Sequence, residues 1–343
     1  MFDTSTIQTP EQIVSARRVI LGPDDSYRGL HPLKYPWTSA WLDTAVKNHW
    51  LWNEPNLLKD IGQYRELADE SREVHDDSLA FLSNLDAIQL GNLSLNILPK
   101  ITAPEIRTCL NRQVWEEEIH VRSYSTCVEA VCTDKVAIYN RYQHVKELAE
   151  KNKLIVSQAN ALNNIDFNPG TFNVACVANM GLEGIHFFSG FLGMYAMIRQ
   201  ERRMFGEREM IAYIQRDEDH HIDLFGHTLT DAQTENPDYS FALNPSARDD
   251  ALEVIESVVK CEKNWSSFIF KEGRCGITPA ISDEFLEWRG NVICAKAGLP
   301  LIYGKHLTRC PIPWFEQYSS VSKEGNFFET RPSSYQAGSA LKW

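Results

Sequence analysis

The sequence predicts an all-α protein built as one helical domain with less regular ends. Its 343 residues include only 18 Gly and 15 Pro, and few of these fall in the middle of the chain. Apolar residues there recur at helical spacing, and no strand pattern of comparable length competes. We expect helices at roughly 40–50, 67–93, 103–132, 134–152, 171–200, 206–233, 247–271 and 280–297.

The start of the third of these helices carries a capping pattern. In "TAPE" (102–105), Thr102 can cap the first turn and Glu105 can close a capping box. Pro104 is tolerated in the first turn of a helix. We therefore predict a capped helix that begins near residue 103.

Both ends of the chain differ from this helical core. Residues 1–30 are polar, whereas residues 311–343 mix Pro, Ser and Gly with isolated aromatic residues. The second composition is typical of a tail that docks on a partner. We expect a partly flexible N-terminal extension (1–30), a helical domain (31–310) and a C-terminal docking tail (311–343).

Composition excludes several classes of protein. A chain with 43% hydrophobic and 11% aromatic residues can bury a large core, which excludes a disordered protein. The net charge of −12 disfavours nucleic acid and anionic membranes as partners. The polar, acidic N-terminus shows no targeting peptide, and the eight cysteines form no CxxC pair. We expect reduced thiols and a cytoplasmic protein.

The longest apolar run, residues 174–198, is long enough to span a bilayer. It carries Glu183 and His186 near its middle and has no basic flank on its N-terminal side. We therefore interpret it as a helix buried in the protein core, and we expect no membrane association.

Charged residues interrupt the apolar stripes of four predicted helices. A stripe collects the residues that share one face of a helix, so a charge within it is directed toward the core. Four carboxylates and two imidazoles occupy such positions. They are Asp86 on the second helix, Glu117 and His120 on the third, Glu183 on the fifth, and Glu218 and His221 on the sixth.

Four converging carboxylates need cations between them. A lone buried carboxylate costs several kcal/mol, whereas two divalent metal ions would cancel four negative charges. Glu-x-x-His on two helices and one acid on each of two others is the four-helix arrangement of dinuclear carboxylate sites. Oxygen-rich ligation with two imidazoles favours iron or manganese over zinc. The pattern predicts a dinuclear metal site in the core.

The acid run "EEE" (116–118) has a simpler interpretation at its two ends. Arg112–Glu116 and Glu118–Arg122 are ordinary i,i+4 ion pairs of a solvated helix. We therefore expect Glu116 and Glu118 to lie beside the metal face as helix-surface partners of the two arginines.

Periodicity leaves three alternatives open. His186 forms a third Glu-x-x-His with Glu183, and Asp217 with His220 lies on a rival stripe of the sixth helix. Tyr124 shares the face of His120 and could also be an ordinary core aromatic residue.

Four segments resemble the radical-generating small subunit of class I ribonucleotide reductase. They are "LDAIQ" (85–89), "EEIHVRSY" (117–124), "LEGIHFFSGF" (182–191) and "RDEDHH" (216–221). The similarity extends from about "HPLKYPW" (31–37) to Trp343. The resemblance implies a ferritin-like helical bundle that activates dioxygen at two metal ions.

The resemblance also assigns roles to residues. It implies the metal ligands Asp86, Glu117, His120, Glu183, Glu218 and His221, and it excludes His186. Asp217 would accept a hydrogen bond from His120, and Trp50 would complete a Trp–Asp–His–metal relay. Further matched positions are Glu54, linked with communication between subunits, and Phe187, Phe191 and Ile214 around the radical site.

Two tyrosines gain roles in the same way. Tyr124 matches the tyrosine that is oxidised to a stable radical, and Tyr335 resembles the tail tyrosine that passes the oxidising equivalent to the large subunit. The implied protein is a homodimer whose tail docks on that catalytic subunit, where ribonucleotides are reduced. Tyr124 favours diiron, with manganese–iron and dimanganese as alternatives. The rival functions are a ligand-binding oxidase or monooxygenase of the same fold and an iron-storage or structural bundle.

Overall fold

The computed structural model describes residues 9–23, 31–164, 166–304 and 307–319. Within these ranges the chain is helical, and its β-structure is one isolated bridge between Ile20 and Ile101. The longer helices, with the short ones between them, are α1 (Pro10–Ala16), α2 (Trp37–Lys47), α3 (Leu58–Arg65), α4 (Asp69–Gly91), α5 (Pro104–Val131), α6 (Lys135–Tyr139), α7 (Lys146–Ala159), α8 (Ala161–Asn164), α9 (Pro169–Gly181), α10 (Phe187–Glu201), α11 (Phe205–Glu235), α12 (Pro245–Phe270), α13 (Pro279–Lys296) and α14 (Pro313–Ser319).

Four long helical rods form the centre of the fold. They are α4, α5, the continuous α9–α10 rod, and α11, and each packs against others of the set. Gly190 lets α10 approach α4 closely, since a Cβ there would lie 2.6 Å from Leu82 Cδ2. The helices α12 and α13 cover α9 on the outside. The residues that share the inner faces are thereby enclosed on all sides.

Two π-helical segments interrupt these rods. Asn92–Ile97 continues α4, and Leu182–His186 joins α9 to α10. Periodicity does not predict them, because one inserted residue shifts the face of a helix without ending it. Such π-turns are rare and occur frequently at functional sites.

The prediction of one helix over 134–152 is wrong. The chain forms α6, a 3₁₀ turn at Arg141–Gln143, and then α7. Asp134 caps α6 by accepting a hydrogen bond from the Ala137 N–H, and such a cap stabilises a short helix. The helix α3 lies outside every predicted range.

The predicted capping box at the start of α5 is also wrong. Ala103 occupies the N-cap position, and no side chain caps this end. Thr102 donates its hydroxyl to the Arg18 carbonyl instead. Glu105 forms a buried ion pair with Arg17 at 2.7 Å. The charged side chain of Arg17 therefore takes the place of the backbone N–H that the capping box would have offered to Glu105.

The long apolar run is confirmed as a buried core segment. It forms most of α9, the second π-segment and α10, and Phe187 to Ile198 are all buried. None of the helices in the described ranges is long and apolar enough to cross a membrane. All eight cysteines are free thiols.

Candidate metal centre

Six side chains from the four central rods converge in the core. Their ligand atoms form two sets, each within 4.8 Å, and all six residues are fully buried. The first set is Asp86, Glu117, His120 and Glu218, and the second is Glu117, Glu183, Glu218 and His221. Glu117 and Glu218 belong to both sets, which is the arrangement that two bridging carboxylates would have between two cations.

The donor atoms in the first set face one another without satisfying one another. His120 Nδ1 lies 3.1 Å from Glu218 Oε1, 3.4 Å from Asp86 Oδ1 and 3.5 Å from Glu117 Oε2. None of these four atoms has a hydrogen-bond partner among the described residues. Buried polar atoms are otherwise nearly always paired. A cation between them would satisfy all four, so the donor set fits a metal ion.

The second set shows the same feature more weakly. Glu183 Oε2 also lacks a partner among the described residues, and His221 Nδ1 lies 3.0 Å from Glu218 Oε2 and 3.3 Å from Glu117 Oε1. Carboxylate oxygens and neutral imidazoles suit iron and manganese.

Burial and mutual repulsion shift the acidity of the cluster. Burial raises the pKa of Asp86 well above its ordinary value, and burial followed by the charges of Glu117 and Glu218 does the same for Glu183. Burial opposes ionisation of Glu218 too, but the adjacent Glu183 carboxyl and the charge of His120 hold its pKa below the ordinary value. The cluster therefore retains protons, and a cation that binds there would displace them.

Three side-chain amides orient Glu183. Its Oε1 accepts hydrogen bonds from Gln89, from Gln113 at 2.7 Å and from Asn179 at 3.5 Å. Partners of this kind fix the orientation of a metal-ligating carboxylate. Sequence analysis did not identify them, although Asn179 lies four residues before Glu183 and Gln89 three residues after Asp86.

The expectation that Glu116 lies on the helix surface is wrong. Its side chain is buried, and Oε2 lies 3.1 Å from His221 Nε2 while Oε1 accepts from Arg112 at 3.0 Å. The α11 rod packs against this side of α5 and encloses Glu116. Glu118 does pair with Arg122 on the surface, at 2.8 Å, as expected.

On the opposite side of the site, Asp217 connects Trp50 to His120. Trp50 Nε1 donates to Asp217 Oδ2 at 2.7 Å, and that oxygen lies 3.4 Å from His120 Nε2. Arg216 binds the other oxygen of Asp217. The Trp50 ring is buried and contacts Tyr213 at a centroid distance of 5.2 Å. The structure thus joins these three predicted relay residues in a continuous line. Glu54 is exposed and caps the Leu51 N–H.

Tyr124 is fully buried on the same face of α5 as His120. Its hydroxyl has no hydrogen-bond partner among the described residues. Burial raises the pKa of this phenol well above its ordinary value, and the charge of Asp86 raises it further. The phenol is therefore protonated at neutral pH. Phe187, Phe191 and Ile214 are also buried.

The rival histidines have other partners. His186 Nδ1 pairs with Glu262, which also binds Lys151 at 2.6 Å. His220 stacks on Trp41 at a centroid distance of 4.4 Å and bonds its carbonyl. Neither histidine belongs to either metal-type set of the described residues.

A further His/Cys/Glu cluster lies beyond Tyr124 on α5. Cys127 donates to Glu207 at 2.9 Å, and His75 Nε2 lies 3.0 Å from the same carboxylate. The His75, Cys127 and Glu207 atoms all have hydrogen-bond partners, in contrast to the converging set around His120. This cluster is a self-satisfied polar network that does not require a cation.

Tyr335 and most of the predicted docking tail lie outside the described residues.

Comparison with known proteins identifies the family to which this chain is similar. The sequence profile of the family described as "Ribonucleotide reductase, small chain" matches residues 28–311. The ribonucleoside-diphosphate reductase subunit beta of Treponema pallidum is 32% identical over 330 residues, which cover 95% of this chain and 92% of that protein. The corresponding subunit of Chlamydia pneumoniae is 27% identical over 328 residues, covering 92% of this chain and 91% of that protein.

Solved structures agree with this comparison. The ribonucleotide reductase R2 subunit from Clostridium botulinum superposes with a TM-score of 0.82 at 29% identity, covering 89% of this chain and 94% of that one. The prediction of an all-α, ferritin-like bundle is confirmed. The chain therefore belongs to the ribonucleotide reductase small-chain family, a family of oxidoreductases.

Proposed function

We propose that this chain is the radical-generating small subunit of a ribonucleoside-diphosphate reductase. The observation that carries the proposal is the pair of overlapping donor sets, which share Glu117 and Glu218 and contain buried atoms without partners. Asp86 and His120 would hold one metal ion, and Glu183 and His221 the other, with the two shared glutamates between them. Bound there, two redox-active metal ions would supply the dioxygen-dependent oxidation of the Tyr124 phenol to a tyrosyl radical.

The protein's own residues prepare that oxidation. The Tyr124 phenol remains protonated until it reacts, so an electron and a proton must leave together. Its complete burial excludes water and small reductants, as a persistent radical requires. Asp217 orients His120 and accepts the Trp50 N–H, which places an oxidisable indole in hydrogen-bonded contact with the site.

The remaining assignments follow from family membership. We propose that Trp50, Asp217 and Tyr335 carry the oxidising equivalent toward a large catalytic subunit, that the chain is a cytoplasmic homodimer, and that Tyr124 favours diiron over manganese–iron and dimanganese. An oxidase or monooxygenase of the same fold would share the metal site without requiring the tail.

Metal quantitation combined with electron paramagnetic resonance tests this function. We expect two metal ions per chain, and after exposure of the iron-loaded protein to oxygen an organic radical signal. The metal ratio separates diiron, manganese–iron and dimanganese. If the protein binds two metal ions but forms no radical and does not bind a large subunit, the result would instead support the oxidase.

Removal of residues 325–343 is expected to abolish binding to the large subunit while metal content stays unchanged. The physical reason is that the metal donors lie in the four central rods, far along the chain from the removed segment. Co-sedimentation with the large subunit measures the first effect and metal analysis the second. Tight binding by the shortened chain would contradict the docking role of the tail.

Glu116→Ala is expected to weaken metal binding by roughly 10- to 100-fold, the usual effect of removing a carboxylate that orients a ligating histidine. Glu116 contacts His221 Nε2 and leaves Nδ1 directed at the donor set. Titration of metal into the metal-free protein measures the change. Glu118→Ala, two residues away on the surface, is the matched control and should bind metal normally. Equal effects of the two substitutions would contradict the role of Glu116.

A further inference from the structure

A line of side-chain amides begins at the protein surface near the end of α8. The exposed Asn163 donates a hydrogen bond to Asn96 Oδ1 at 2.5 Å, and Asn96 donates to Asn92 Oδ1 at 3.4 Å. Asn96 and Asn92 are both buried, with 6% of their surface exposed. The line therefore passes from solvent into the core within three residues.

The inner part of the line ends at Glu183. Asn92 donates to Gln89 Oε1 at 3.2 Å and to Asn179 Oδ1 at 3.1 Å. Gln89 and Asn179 both donate to Glu183 Oε1. A continuous hydrogen-bonded path thus joins the surface to one proposed metal ligand.

All of these hydrogen bonds have the same direction. Each amide donates an N–H to a group further inside and accepts with its carbonyl oxygen from the outer side, and Asn96 also donates to the Ala159 carbonyl at 2.7 Å. Aligned amides polarise one another and stabilise the negative charge at the inner end. Because amides do not titrate, the line is unsuited to a proton relay through changes in ionisation. Its outward oxygens are the kind of ligand that divalent cations accept.

Two cavities accompany the line. A surface cavity of about 630 Å³ between α7, α9 and α12 carries the acids Asp250 and Glu253 at its wall. A gap of about 10 Å³, the space of one water, lies next to Asn92 and Asn179. Three residues line both cavities: Gln158, Ala175 and Ala178. The gap therefore extends the acidic surface cavity toward the amides.

Both π-helical segments flank this path. Asn92 and Asn96 belong to the segment Asn92–Ile97, and Glu183 belongs to Leu182–His186. The irregular turns of two rods thus coincide with the one hydrogen-bonded line of amides described above.

From these observations we propose that divalent metal ions enter and leave the core along the inner part of this line, from the acidic cavity through the gap beside Asn92 and Asn179 to Glu183. This inference rests on the proposed dinuclear function. The six donor side chains are fully buried, so an ion must cross the protein to reach them. Crossing an apolar wall removes hydration without replacement, at high cost, whereas amide oxygens can replace lost water ligands.

Kinetics of Mn²⁺ binding to the metal-free, full-length protein test the proposal. Uptake is followed by the loss of the free Mn²⁺ resonance signal, and release by transfer to excess chelator. Asn92→Leu removes an amide from the line, and Ala178→Leu fills the gap. We expect each to slow uptake and release by about tenfold or more while the dissociation constant stays within about twofold, since a barrier along a path changes rates but not the equilibrium.

Two matched controls separate entry from positioning. Asn173→Leu removes another buried amide of α9, bonded to the Tyr239 carbonyl, and should leave both rates unchanged. Gln113→Leu removes a donor to Glu183 from α5, and should weaken affinity through faster release with normal uptake. Normal uptake rates in both Asn92→Leu and Ala178→Leu would overturn the entry route alone. Failure of the unsubstituted protein to bind Mn²⁺ would overturn the proposed function together with the route.

Discussion

Tyr124→Phe is expected to abolish the organic radical signal of the iron-loaded, oxygen-exposed protein completely. The substitution removes one hydroxyl that is buried and has no hydrogen-bond partner among the described residues. Loss of an unpaired group leaves no other polar atom unsatisfied, so the fold and the metal site should persist. Electron paramagnetic resonance measures the radical, and metal analysis on the same sample measures occupancy of the site.

Tyr195→Phe is the matched control for this prediction. Tyr195 is also fully buried with an unpartnered hydroxyl in the described structure, but it lies on α10 and packs against Phe315 at a centroid distance of 5.4 Å. We expect this variant to retain the radical signal. An unchanged signal in Tyr124→Phe would show that the radical resides on another residue.

Asp86→Asn is expected to have opposite effects on the metal-free and the metal-loaded protein. In the metal-free protein it replaces one of four clustered carboxyl groups by a neutral amide. Because burial raises the folded-state pKa of Asp86, folding at neutral pH must either bind a proton at this carboxyl or bury its charge, and the neutral amide removes that cost. We expect the free energy of unfolding to rise by about 1–3 kcal/mol, the range for relief of an unpaired buried polar group.

Bound metal should reverse the order of stability, so that the unsubstituted protein becomes more stable than the variant. Saturation of the unsubstituted protein at about 1,000 times the dissociation constant would add about 4.1 kcal/mol, which exceeds that difference, whereas the variant lacks a carboxylate ligand and gains less. Denaturant unfolding with and without Mn²⁺ measures both effects. Glu262→Gln is the control, because the charges of Lys151 and His186 outweigh burial and hold the pKa of Glu262 below its ordinary value, so that its loss should destabilise both forms. A variant less stable than the parent in the metal-free form would contradict the interpretation of a repulsive, cation-binding cluster.

Local patterns predicted most of the rods but not their irregularities. The segment around Glu117 follows helical periodicity closely, so its inward face could be identified from spacing. Around Glu218 spacing left the rival register of Asp217 and His220 open, and the family resemblance chose between them. The break after α6 and the two π-segments could not, because each depends on contacts with other helices. The capping box predicted for Thr102 and Glu105 does not form, for a similar reason. Glu105 pairs with Arg17, which is 88 residues away in the sequence and is a stronger partner than the local backbone.

The sequence by itself determined the helical class, the two Glu-x-x-His pairs and the face that Tyr124 shares with His120. These features depend on spacing along one helix, and spacing is a property of the chain. Only the tertiary structure decided that Glu116 is buried against His221, that His220 stacks on Trp41, and that a line of amides reaches Glu183. Those outcomes depend on which helix covers which face. Burial by another helix changes the free energy of a charged group or an amide far more than the adjacent residues in the sequence do.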